Sequence, residues 1–228
     1  MPVAIRSPAP RLAFRHVTVI GMFPLGTVLL PGEFLPLHVF EPRYRTLVHD
    51  CLKGSPEFGV VLIERGSEVG GGDTRSDVGT IARLVEAVEL PDGRFALTCG
   101  GTRRVRVRQW LADDPYPRAD VDDWRDEAVD MLDPDDLITT ERALRRVLAL
   151  SAEAGDAVAR VATEISDDPV LATYHLCALA PLGPADRYRL LTRAGPAERV
   201  ALLAALLAEA EEVLVLRLEG GTATSGPA

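Results

Sequence analysis

In the first half of the chain, apolar residues fall in short runs with the two-residue period of strands. VTVIGMF (17–23) reads as one strand and FLPLHVF (34–40) as a second, with Leu35, Leu37 and Val39 on one face. Pro36 has no N–H to give a ladder, so the second strand is expected at a sheet edge or where the sheet opens. FGVVLI (58–63) reads as a short buried strand, and the polar stretch 64–77 as a flexible loop. Pro91-Asp92-Gly93 signals a turn between TIARLVEAVEL (80–90) and RFALTC (94–99), which predicts a hairpin. Phe95, Leu97 and Cys99 alternate inward. Gly100-Gly101 is expected to turn the chain again, into TRRVRVRQWL (102–111), where Val105 and Val107 oppose Arg104, Arg106 and Arg108. After an Asp113-Asp114-Pro115 turn, PRADVDDW (117–124) is expected as the last strand.

One segment in this half changes period. From Glu41 to Lys53, Tyr44, Leu47, Val48, Cys51 and Leu52 recur at helical spacing. Pro42 suits the first turn, Lys53 the last, and Gly54 the position beyond it. Strands at this spacing with one helix predict a small, partly closed antiparallel barrel. From about Asp133 the pattern is helical throughout, over 137–154, 156–166, 169–180, 184–194 and 196–219. Pro169, Pro184 and Pro196 read as starts, and Gly155, Gly183 and Gly195 as stops. The fold class is therefore α+β. Residues 1–16 are expected to be a flexible N-terminus, 17–127 the β part, 128–219 the helical part and 220–228 a disordered tail.

At 47% hydrophobic and 26% charged, 228 residues can bury a real core. The net charge of −9 disfavours general nucleic-acid binding, which needs a surplus of cations. Lysine occurs once, at Lys53, so any lysine-dependent mechanism has a single candidate. Cys51, Cys99 and Cys177 form no CxxC pair, and His16, His38, His49 and His175 form no HExxH, so structural roles are expected for all seven. There is no GxxxxGK[ST], no GxSxG and no visible nucleophile–base pair. Gly70-Gly71-Gly72 lacks the GxGxxG spacing and precedes a strand, so it is read as a connector. No enzyme, cofactor or metal is expected. No run approaches the ~18 apolar residues of a membrane span, and prolines interrupt the N-terminus, so a signal peptide is not expected either. A cytoplasmic protein is the expectation.

Two charged features remain. Asp120, Asp122, Asp123, Asp126 and Glu127, with Asp133, Asp135 and Asp136, do not fit a calcium loop and read as a solvated linker. Arg104, Arg106 and Arg108 form a basic stripe on a strand, which keeps an RNA-binding barrel as the alternative, although no aromatic residues interleave to stack bases. The last helix carries an apolar face through Val200, Leu203, Leu206, Leu207, Ala210 and Leu214; Val213, Val215 and Leu216 extend it toward a partner or a second copy.

FPLGTVLLPGEFLPLHVFEPRYRTLV (23–48) as a whole strongly resembles the start of the Lon N-terminal, substrate-binding domain. The matching pieces are Phe23-Pro24-Leu25, Leu30-Pro31-Gly32, Leu35-Pro36-Leu37 and Phe40-Glu41-Pro42-Arg43-Tyr44. The likeness continues through Phe58-Gly59-Val60-Val61, Val78-Gly79-Thr80-Ile81-Ala82 and Gly100-Gly101-Thr102-Arg103-Arg104, and covers about residues 18 to 215. It implies a PUA-like β pseudo-barrel with one helix, then an α-helical bundle. It also implies a protein- or peptide-binding module, an adaptor in quality control without the ATPase and peptidase domains. The implied partners are unfolded or peptide segments of client proteins and a protease or chaperone working with them; nucleic acid and membrane are not among them. The resemblance brings no catalytic residue, and the peptide-binding residues stay unassigned. Pro31-Gly32 is expected to make a turn, and Arg43, off the buried stripe, to cap or pair locally. An apolar groove is expected between barrel and bundle or at the barrel edge near Pro36.

Overall fold

A computed structural model describes residues 18–66, 72, 74–156 and 165–222. The expectations for 1–16, for most of the helix over 156–166 and for 223–228 lie outside the described residues. The elements run β1 (Thr18–Leu25), β2 (Phe34–Val39), α1 (Pro42–Lys53), β3 (Glu57–Arg65), β4 (Thr74–Glu89), β5 (Phe95–Trp110) and β6 (Arg118–Asp123). A 3-10 turn (Val129–Met131) then leads to α2 (Pro134–Glu153), α3 (Pro169–Leu179), α4 (Pro184–Leu191) and α5 (Pro196–Thr222). The protein is mixed α+β, with one six-stranded sheet in the order β2-β5-β4-β3-β1-β6.

β5 also pairs with β6, so the ladder closes on itself through β5, β4, β3, β1 and β6. Met22, Val61, Ile81, Val105, Val107, Ala119 and Val121 form one buried cluster to which all five strands contribute, filling the ring. Not every pairing is antiparallel as expected: β1 runs parallel to β3, Met22 opposite Gly59. Parallel neighbours need a crossover, and β2 with α1 supplies it.

β5 does not break at Gly100-Gly101, contrary to the expected turn. Its first half pairs with β2 and its second with β6. Gly101 is there for close approach, since a Cβ on it would run into the Leu30 carbonyl oxygen. The space is used by backbone bonds from Gly101 N–H to Glu33 O and from Gly32 N–H to Gly101 O, each 2.8 Å. Gly32, at φ +81°, makes the expected turn after Pro31. The predicted loop 64–77 is also shorter, because β3 extends to Arg65 and β4 begins at Thr74.

α1 forms as read. Pro42 opens it, and Tyr44, Leu47, Val48 and Cys51 are buried; Leu52, expected on that stripe, is exposed. The helix packs under the inner face of β2 and β5, with Tyr44 stacked on Phe23 at 4.1 Å. Proline starts α2, α3, α4 and α5, and Asp133 and Asp168 cap α2 and α3 by accepting from Asp135 and Leu171 N–H. Gly183 caps the start of α4 instead of stopping α3, which ends before Pro181. α5 buries Val200, Leu203, Leu206, Leu207 and Leu214 and packs mainly on α2, while Val213, Val215 and Leu216 stay exposed. The helical core is not separate from the strands. Val28, Leu30 and Val78 share a cluster with Leu144, Leu176, Leu190 and Leu203.

Candidate recognition surfaces

Among the described residues, only one side of β2 is paired. Leu35, Leu37 and Val39 turn inward as expected, so Phe34, Pro36 and His38 turn outward. The outward face continues across β5 and β4. Phe34 and Val85 are 67% and 60% exposed. Both side chains sit over Gly100, where an added Cβ would touch each at 3.7 Å. Val85 follows the inward Leu84 and sits on this face at a bulge in β4 between Leu84 and Glu86, and Val88 adds to its exposed apolar area. At the β2–α1 junction a pocket of about 170 Å³ is lined mostly by apolar residues, among them Phe23, Leu25, Pro36, Val39, Phe40 and Tyr44. Arg43 pairs with Glu41 at 3.1 Å beside it.

A second, larger depression of about 470 Å³ lies between the strands and the helices. Pro31, Trp124, Val129, Val170, Leu171 and Tyr174 give it apolar walls, and Arg103, Arg104, Arg125, Asp123, Asp126 and Asp168 its charges. The expected groove was apolar; the depression between strands and helices is lined by charged residues as well, and the one near Pro36 mostly by apolar residues.

A buried polar network underlies the larger one. Arg104 and Arg199 are 2% and 0% exposed, and both donate to Asp126 Oδ1. Arg199 also donates to Thr173 Oγ1 at 2.7 Å and to the Tyr174 hydroxyl at 2.7 Å, which donates to Asp126 Oδ2 at 3.0 Å. Arg104 reaches the Leu191 carbonyl at 2.8 Å, at the end of α4. Burial pushes the Tyr174 phenol up and draws the Arg104 guanidinium down. A parallel tie joins α4 to the β1–β2 loop, where buried Arg187 donates to Glu33 and to the Val28 carbonyl.

These contacts revise two expectations. The acidic stretch is only partly a solvated linker: Asp123, Glu127, Asp133, Asp135 and Asp136 are exposed, but Asp126 is the hub of the buried network, Asp122 pairs with Arg108, Asp123 with Arg103, and Asp133 caps a helix. Nor is the basic stripe a free face. Arg104 is buried, Arg108 is held by Asp122, and Arg106 lies over the Trp124 ring at 4.1 Å. The RNA-binding alternative gains no support from this arrangement. Cys51, Cys99 and Cys177 are buried free thiols. Among the described residues no group of three or more His, Cys, Asp or Glu could hold a metal ion, and no helix is long and apolar enough to cross a membrane.

Sequence reasoning missed Asp126, Arg199 and the outward Phe34–Val85 face. The face had one legible signal, since Phe34 precedes the Leu35, Leu37, Val39 alternation out of phase with it.

The closed ladder, with α1 packed beneath β2 and β5 and α2–α5 beyond it, has its counterpart among Lon N-terminal domains. The model for the ATP-dependent protease La (LON) substrate-binding domain matches residues 19–209, and the chain belongs to that family. A Lon N-terminal domain protein from Xanthomonas campestris superposes with a TM-score of 0.64 at 30% identity, over 83% of this chain and 98% of that one. The N-terminal domain of a Mycobacterium avium complex Lon protease shares the fold, with a TM-score of 0.59 at 16% identity over 84% of this chain and 98% of its own. A Lon protease of Roseiflexus castenholzii is 28% identical over 200 residues, 87% of this chain. The chain spans 25% of that protease's length.

Proposed function

We propose that this chain is a non-catalytic recognition module that binds extended segments of unfolded proteins and acts as an adaptor in cytoplasmic quality control. The observation that carries this is the apolar face of Phe34, Val85 and Val88 beside the unpaired edge of β2. Exposed apolar area gathered on one face, rather than scattered, marks an interaction site. An extended segment laid along β2 gains main-chain hydrogen bonds, and every second side chain reaches the sheet face or the pocket under Phe40. Pro36 withholds one donor, so recognition leans on side chains more than on the ladder. In this reading the closed ladder is a PUA-like pseudo-barrel and α2–α5 are the bundle that supports it, divided near residue 127. A protease or chaperone would receive the held segment. Family membership supports substrate recognition.

Retention of reduced, carboxymethylated lactalbumin on the immobilised chain tests this, with native lactalbumin as control. The unfolded form is expected to be retained selectively. The double variant Phe34→Ser, Val85→Ser should weaken retention about tenfold, the loss of roughly one buried apolar contact. Equal retention of both forms, or no effect of the variant, contradicts the reading.

A further inference from the structure

We propose that the groove between β5–β6 and α3 is a second site, which takes an Asp or Glu side chain carried inside an extended apolar segment of a partner protein. The proposal rests on the polypeptide-binding reading above but uses different residues. Every carboxylate on the groove wall is already engaged. Asp126 is shared by Arg104 and Arg199, Asp123 pairs with Arg103, and Asp168 accepts from Leu171 N–H. The cations are not all so engaged. Arg125 is exposed and makes no hydrogen bond or ion pair with the described residues. Arg106 rests on Trp124 by its face alone. Arg104 and Arg199 each keep a buried Nε without an acceptor. One carboxylate thus sits between two buried guanidinium groups, with the Arg125 guanidinium on the groove wall and that of Arg106 over the Trp124 ring. The wall itself carries three arginines and three aspartates, and it is Arg199 behind Asp126 and Arg106 over Trp124 that tip the surroundings to positive in a chain of net charge −9.

The rest of the wall sets what accompanies the acid. Pro31, Trp124, Val170 and Leu171 offer apolar contact on both sides of the cations. A free C-terminal carboxylate is usually caught by converging backbone N–H groups. Here the N–H of Leu171, in the first turn of α3, is already taken by Asp168, and the cations stand along the wall on side chains. That layout suits a chain passing through with an acidic side chain, not a chain end.

Titration calorimetry with the wild-type chain and three twelve-residue apolar peptides tests this. One is capped at both ends with a central Glu, the second has Gln in its place, and the third is the Gln peptide with a free C-terminus. The Glu peptide is expected to bind about tenfold more tightly than the Gln peptide, as for a charge-assisted hydrogen bond, and the advantage should shrink with added salt. Arg125→Glu should abolish the preference, and the Phe34→Ser, Val85→Ser double variant should keep it. In a Trp110→Phe background, Trp124 is the only indole left to report binding in the groove. Equal binding of Glu and Gln peptides, preference for the free C-terminus, or displacement by a single-stranded RNA oligomer each overturns the proposal. Retention of unfolded lactalbumin without any Glu preference would sink this site alone. A Glu preference without lactalbumin retention would sink the β2 reading and spare this one.

Discussion

Asp126 shows how much can hang on one carboxylate. Replacing it with Ala leaves two buried guanidinium groups without their counter-ion, which is the costly way to break such a network. Asp126→Ala should lower unfolding stability by about 3 kcal/mol in urea titrations, whereas Asp130→Ala, on the exposed 3-10 turn, should change it by under about 0.5 kcal/mol. Glu57 acts through pH. Burial raises its pKa, but hydrogen bonds from Arg83 and Arg103 outweigh that and hold it below the usual carboxylate range. A lowered folded-state pKa contributes stability above the unfolded value, near 4.3 for Glu. That contribution fades as pH falls through the folded value. Stability curves of wild type and Glu57→Gln should therefore separate at pH 7 and converge only at acid pH, once the folded-state value has been passed. The cysteines should be quiet. Burial, with the nearby Asp50 charge second, pushes the Cys51 thiol up to about 11, and burial pushes Cys99 to about 12. Ellman's reagent at pH 8 should label none of the three within minutes in the native protein and all three in denaturant.

Element by element, what could be read from the sequence was what local pattern encodes. β2's alternation and its edge position followed from Leu35, Leu37, Val39 and Pro36, and α1 from Pro42 and its stripe. Gly100-Gly101 misled because glycine serves both a turn and a close approach, and only the Leu30 backbone, some seventy residues away in sequence, decides between them. Asp126 misled for the same reason. Its partner Arg199 lies 73 residues on, and without it the acidic run looks like a linker. The arginine stripe was read correctly as alternating with Val105 and Val107, but strand period says nothing about whether helices will cover the outer face. Gly101→Ala sets a methyl against a carbonyl that cannot move aside. It should cost about 1–3 kcal/mol, comparable to core overpacking, and be visible as a lower midpoint of thermal unfolding.

For the molecule as a whole, the helical core takes in residues from the strand half of the chain. Val28, Leu30 and Val78 pack among helix residues, and Arg104 and Arg187 tie the end and the flank of α4 to the strands. We therefore propose that a division near residue 127 is one of secondary structure. Far-ultraviolet dichroism, weighted to helix, and fluorescence of Trp110 and Trp124, beside β5 and β6, should report coincident urea transitions; separated midpoints would mean two independent units. In the proposed reading, the same continuity supports β2 while a client is held on its open side. Amide hydrogen exchange, with and without saturating unfolded lactalbumin, tests that directly. Exchange should slow across 34–40 and 84–88 and stay unchanged at the exposed end of α5. Protection confined to α5, or none anywhere while lactalbumin stays bound, would contradict recognition at the β2 edge.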